Sequence, residues 1–141
     1  MSSIQELDLE HLTSKIILVT GASRGIGRAI AEKLLNLGNI VIGTSRRVES
    51  LSGLSTAFEK TFYPFELELN SPESVNALAK TVGGTFGKLD VLVNNAGTLG
   101  EIGLLENCSF DTWNDVLNIN LNNQFLLVKS LLPYLKLSTR G

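Results

Sequence analysis

The chain has a single cysteine and a single histidine in its 141 residues. One cysteine, Cys108, cannot close an internal disulfide, and nothing near it has the spacing of a metal site. It reads as a small buried or half-buried thiol. The one histidine, His11, lies in a polar N-terminal arm, residues 1–14, which argues against a histidine-dependent nucleophilic triad. No apolar run approaches the roughly 20 residues that a membrane span requires. The arm mixes Glu6, Asp8 and Glu10 with isolated leucines, unlike a signal peptide. There is no basic block, and a formal net charge of −2 gives no electrostatic case for nucleic-acid binding. Disorder is excluded as well, because 43% of residues are hydrophobic and 18% charged, a globular composition. The expectation is a soluble cytoplasmic protein with one domain over residues 15–141, large enough for an ordinary core.

What is present is an alternation of buried strands and amphipathic helices. Lys15 to Thr20 is an unbroken apolar run ending at a glycine, as in a parallel strand covered on both faces. Ile26, Ala29, Ile30, Lys33, Leu34 and Leu37 follow helical spacing, and Gly38 suits a C-terminal cap. Ile40 to Thr44 is a second buried strand, completing a right-handed βαβ unit. A short weak helix is expected over residues 50–58. A third strand is expected from Phe62 to Leu69, entered through Pro64. Ser71-Pro72-Glu73 reads as a helix start. Val75, Leu78, Ala79 and Val82 form that helix's buried face, and Gly83-Gly84 is expected to end it. Leu89 to Val93 is the fourth strand. From Phe110 to Leu137 no glycine occurs, which predicts one long helix. Trp113, Leu117, Leu121, Phe125 and Leu132 cover so much of its circumference that burial on more than one side is expected.

Two stretches carry chemistry. Gly21, Gly25 and Gly27 form a Gly-x-x-x-Gly-x-Gly turn at a strand-to-helix junction. A pyrophosphate sits well on free amides at a helix N-terminus, and glycine allows the backbone to come close. Close strand–helix packing is the plainer reading of such a turn. Asn94-Asn95-Ala96-Gly97, directly after the fourth strand, is the second. Alone it would be an ordinary turn that ends a strand.

Together, Thr20-Gly21-Ala22-Ser23-Arg24-Gly25-Ile26-Gly27 and Asn94-Asn95-Ala96-Gly97 resemble the short-chain dehydrogenase/reductase family, over Lys15 to the C-terminus. The resemblance implies an α/β Rossmann-type parallel sheet of order 3-2-1-4, with helices on both faces, cut off before the fifth strand. It implies cofactor contacts from Gly21, Ser23, Arg24, Gly25, Ile26, Gly27, Asn95, Ala96 and Gly97, with Asn94 bracing the sheet below the cofactor. Glu68 is expected near the adenine amino group, where many members carry Asp or Asn, and Leu69 is expected to lend a backbone contact. An exposed strand-end acid is the plainer reading of Glu68.

NAD enzymes of this fold place an acid about 20 residues past the glycine turn. Here Thr44-Ser45-Arg46-Arg47 stands there, and no carboxylate occurs before Glu49. Guanidinium groups grip phosphate through forked hydrogen bonds. Ser45, Arg46 and Arg24 are therefore expected to favour NADP over NAD.

The cluster Asn118, Asn120, Asn122 and Asn123 is unusual inside a helix. By the resemblance, Asn120 matches the family's fourth catalytic residue, which holds a water in a proton relay. A helix kink or solvent-facing amides are the alternative. The rest of the family's catalytic set is a Ser and a Tyr-x-x-x-Lys. Tyr63 is followed four residues on by Leu67 and Tyr134 by Ser138, so neither supplies it. The expectation is the cofactor-binding, N-terminal part of an NADP-dependent carbonyl reductase or alcohol dehydrogenase, inactive and marginally stable alone. Its parent would be a homo-oligomer through the long helix. A non-catalytic dinucleotide- or partner-binding module is the alternative. A Rossmann-like methyltransferase would leave Arg46, Arg47 and Asn94 to Gly97 unexplained.

Overall fold

The computed structural model describes residues 14–139. His11 and nearly all of the polar arm lie outside the described residues. Four strands form one parallel sheet: β1 (Ile16–Val19), β2 (Ile40–Ser45), β3 (Phe62–Glu66) and β4 (Val91–Val93). Their order is β3-β2-β1-β4, as the sequence predicts. The helices are α1 (Gly25–Asn36), α2 (Ser52–Ala57), α3 (Pro72–Thr81), α4 (Phe110–Leu117) and α5 (Asn123–Leu135).

Strand alternation sorts the core into two layers. Ile17, Val19 and Val41 pack on one face with Ala31, Leu35, Leu51 and Leu54, from α1 and the α2 region. Leu18 and Ile42 point to the other face, against Val75, Leu78 and Ala79 of α3 and Leu127 and Leu131 of α5. Each such fully buried aliphatic side chain contributes roughly 1.5–3 kcal/mol relative to exposure. The α1 helix ends as its sequence predicts, at Gly38 with φ +82°. Ser71 caps α3 by accepting from the Ser74 amide at 3.2 Å, with Pro72 in the first turn.

The base of the sheet, away from the glycine turn, is fixed by Asp90. Its carboxylate accepts from the Ile16 amide at 2.9 Å, Lys88 Nζ at 3.0 Å and the Ser138 hydroxyl at 2.8 Å. Burial pushes this carboxyl up, but the Ile16 amide, the Ser138 hydroxyl and the Lys88 ammonium outweigh it and hold it below its ordinary 3.8.

Three expectations need correction. Gly83-Gly84 does not end the third helix, which continues through a π-turn over Val82–Phe86 to Gly87 in the left-handed region. A Cβ on Gly83 would overlap the Tyr134 ring, so that glycine serves packing. The third strand stops at Glu66. The chain then bends so that Leu67 and Leu69 both reach the core. The long helix runs from Phe110 to Leu135 as one helical path, with a π-turn over Asn118–Asn122 between α4 and α5. It is not buried on several sides: Leu127 and Leu131 are buried, while Trp113, Leu121 and Phe125 are exposed.

Candidate functional site

All four strands run the same way, so their C-terminal ends share one edge of the sheet. From that edge emerge the glycine turn after β1, Ser45-Arg46-Arg47 after β2, Glu68-Leu69 after β3 and Asn94 to Gly97 after β4. The chain winds outward from β1 in one direction to β2 and β3, and β4 lies on β1's other side. This is the topological switch point, where such sheets bind ligands.

Thr20 joins the two motifs there. It is fully buried, and its amide donates to the Val93 carbonyl at 3.1 Å. Its Oγ1 accepts from the amides of Asn95 at 3.0 Å and Ala96 at 2.9 Å. Asn95 answers through Nδ2, donating to the carbonyls of Thr20 at 2.9 Å and Gly21 at 3.3 Å. The brace is therefore Asn95. Asn94, to which the sequence reading gave that role, is exposed. The register that pairs Val19 with Val93 decides which of the two asparagines meets Thr20.

The glycines have separate reasons. Gly21 has φ +68°, and an added Cβ would stand 3.2 Å from Ala96 Cα. A Cβ on Gly27 would overlap Asn95 Nδ2 and the Gly21 carbonyl. Gly25, with φ +56°, faces open space. The turn is tied to β2 by the Ala22 amide, which donates to the Thr44 carbonyl at 2.9 Å. Ahead of α1, Arg24 is extended and offers no side-chain cap. The first amides of α1 thus start without a capping side chain, beside a glycine that keeps space open. Such an end suits an anion.

Beyond β2, Arg46 and Arg47 are exposed. Ser45 Oγ lies 2.8 Å from Ser50 Oγ. After β3, Glu68 is exposed, and its Oε1 accepts from the Asn70 amide at 3.4 Å. Leu69 is buried in the core, so its backbone alone is left to face a ligand.

Asn120 sits in the π-turn and grips the segment after Gly97. Its Oδ1 accepts from the Thr98 amide at 2.9 Å and its Nδ2 donates to the Thr98 carbonyl at 2.7 Å. Asparagine's competition for backbone groups is here directed at a neighbouring loop. Gln124 completes the link. Its Nε2 donates to the carbonyls of Ala96 at 2.9 Å and Ile119 at 3.2 Å, while its buried Oε1 has no hydrogen-bond partner among the described residues. Asn95, Gly97, Asn120 and Gln124 line an open cleft of about 520 Å³. The sequence reading missed Thr98 and Gln124. Gln124 directly follows Asn122 and Asn123, so nothing in the sequence sets it apart from that polar run.

The short chain dehydrogenase family model matches residues 15–141. The chain is 41% identical over 122 residues to the 3-oxoacyl-(acyl-carrier-protein) reductase FabG of Vibrio harveyi, covering 86% of this chain and 50% of that protein. It is 38% identical over 132 residues to the short chain dehydrogenase tazN of Aspergillus terreus, covering 90% and 29% respectively. Among solved structures, a short-chain dehydrogenase from Streptomyces avermitilis matches with TM-score 0.82 and 37% identity, over 86% of this chain and 44% of that one. A metagenomic short-chain oxidoreductase in complex with NADP matches with TM-score 0.85 and 34% identity, over 92% and 61%. The chain spans half or less of the length of these two curated relatives. It belongs to the short-chain dehydrogenase family, which binds NAD(P) and acts by oxidoreduction. Among the described residues no helix is long and apolar enough to cross a membrane.

Proposed function

We propose that the chain is the cofactor-binding portion of an NADP-dependent short-chain oxidoreductase. The observation that carries this reading is the junction at the switch point, where the Thr20 hydroxyl binds the amides of Asn95 and Ala96. It joins a capless helix start to the wall opposite. Gly21, Ser23, Gly25, Ile26 and Gly27 would hold the pyrophosphate, with glycine excluding the β-carbons that would fill the cradle. Asn95, Ala96 and Gly97 would line the ribose, and Glu68 and Leu69 would edge the adenine. Arg24, Ser45 and Arg46 would meet the 2′-phosphate, where no acid stands to repel it. That one relative's structure holds NADP supports the choice.

When bound, the nicotinamide supplies or takes the hydride exchanged with a carbonyl or alcohol carbon of a small molecule. This chain's part is to bind and orient. Asn120 would hold a water of the proton relay, with its amide fixed by Thr98. No Tyr-x-x-x-Lys, the pair to which the family resemblance assigns proton transfer, occurs among these 141 residues. The active protein would be cytoplasmic and would self-associate across the exposed apolar stripe of α4 and α5.

Calorimetric titration of the chain with NADPH and with NADH tests the reading. Saturable NADPH binding at least about tenfold tighter than NADH is expected from one or two charge-assisted hydrogen bonds. Equal affinities, or none in a folded chain, would refute it.

A further inference from the structure

Ser50 lies five residues past Ser45, at the start of the helical stretch after β2. A serine hydroxyl carries one hydrogen. That of Ser50 goes to the Arg47 carbonyl, which can only accept, at 2.6 Å. Ser45 is then the donor in the 2.8 Å contact between the two hydroxyls. The Arg47 amide in turn donates to Ser45 Oγ at 3.4 Å. The three groups close a ring, Ser45 to Ser50 to Arg47 and back, in which each hydroxyl both gives and receives, so that the bonds polarise one another. The Ser50 amide adds a second bond to the same Arg47 carbonyl at 3.1 Å.

The ring encloses Arg46 and fixes the backbone on either side of it. Long exposed guanidinium side chains lose conformational freedom on gripping an anion, and a fixed backbone lowers that cost. We infer that Ser50 is a positioning residue that sets the preference for a nucleotide carrying a 2′-phosphate, by holding Ser45, Arg46 and Arg47 in one loop conformation. This rests on the NADP reading above. Ser50 has no role toward a nucleotide that lacks that phosphate. Ser45 can turn its hydroxyl from Ser50 to the phosphate, and the Ser50–Arg47 bond still holds the loop.

The test is calorimetry of NADPH and NADH with the 141-residue chain and its Ser50→Ala and Ser50→Thr variants, alongside NMR hydrogen exchange of the Arg47 amide. Ser50→Ala is expected to weaken NADPH about five- to tenfold, the loss of one to two exposed hydrogen bonds. NADH affinity should stay unchanged, the melting temperature should fall by no more than about 3–7 °C, the same free energy read as stability, and exchange at Arg47 should quicken. Ser50→Thr keeps the hydroxyl and should restore both readouts. Wild-type preference for NADPH that Ser50→Ala leaves intact overturns the role of Ser50 alone. So does an equal loss of both nucleotides, which marks a general structural effect. A wild-type chain that binds both nucleotides alike, or neither, overturns the NADP reading and this inference with it.

Discussion

Replacing Thr20 with valine would separate the two halves of the site without changing its shape. The two side chains are nearly isosteric, but valine has no oxygen. The amides of Asn95 and Ala96, which donate to Thr20 Oγ1 at 3.0 and 2.9 Å, would lose their acceptor. A buried donor left unpaired costs about 1–3 kcal/mol. Both amides are part-buried, so the lower end of that range applies, roughly 1–1.5 kcal/mol each and 2–3 kcal/mol for the pair. The added methyl returns up to about 0.8 kcal/mol, leaving a net loss of about 1.5–2 kcal/mol. In a domain of this size 1 kcal/mol moves the melting temperature by about 3–5 °C. A fall of roughly 5–10 °C is therefore expected in a thermal melt followed by Trp113 fluorescence, together with weaker NADPH binding. Thr20→Ser keeps the oxygen and should keep the NADPH affinity, losing stability only through one methyl. If Thr20→Val melted within about 2 °C of the wild type and bound NADPH equally well, the hydroxyl would not be what joins the motifs.

Gly27→Ala should cost at least about 2 kcal/mol, because the new Cβ meets the Gly21 carbonyl, and backbone cannot yield as a side chain does. Gly84→Ala, where nothing lies within 4 Å, should be neutral or stabilise by up to about 1 kcal/mol, and chemical denaturation distinguishes the two. The carboxyl of Asp90 is held below its ordinary 3.8. Its contribution is thus fully present above about pH 4 and lost as pH falls through the lower folded value. Asp90→Asn should lower stability at pH 7 by about 1–3 kcal/mol and flatten the acid limb below pH 4, read from melts across pH. Lysine at both Leu121 and Phe125, which are exposed, should abolish concentration-dependent association in sedimentation velocity without lowering the melting temperature.

The first two strands were legible because a parallel strand covered on both faces must be largely apolar, and Ile16 to Val19 and Ile40 to Ile42 are unbroken apolar runs. The α3 start was legible because a capping hydroxyl, a proline and an acid each solve the same problem of unpaired amides. Neighbours distant in sequence were not legible. Gly83-Gly84 looked like a stop until Tyr134 packed on it. Asn94 and Asn95 are the same residue type side by side, and only the pairing of β4 with β1 tells them apart. The ring through Ser50 depends on a bend after β2 that no local preference announces. The asparagines of 118–123 signalled a helix under strain, but the bond from Asn120 to Thr98 spans 22 residues and could not be read from spacing.

The apolar pattern of residues 110–137 shows where sequence reasoning reaches its limit. Periodicity reports how much of a helix wants cover and is silent on what supplies it. In this structure α5 turns Leu127 and Leu131 to the sheet. Trp113, Leu117, Leu121 and Phe125 recur every four residues, which keeps them near one side of the α4–α5 path. Their exposures run from 37% to 63%, so a row of large apolar side chains faces outward along α4 and α5. β4 is at the same time an edge strand, with backbone groups open to pairing. Both features lie on the β4 side of the switch point, while the glycine turn and the Ser45–Ser50 ring are closed by bonds among the described residues. On the reading proposed above, the phosphate side of the site is organised by bonds within this chain. The side that carries Asn120 is tied by the bonds from Asn120 to Thr98 and from Gln124 to Ala96, and the exposed row of α4 and α5 lies beside it. NADPH affinity in calorimetry should accordingly be the same above and below the concentration at which the chain self-associates; an affinity that falls on dissociation would place part of the phosphate site at the contact between copies.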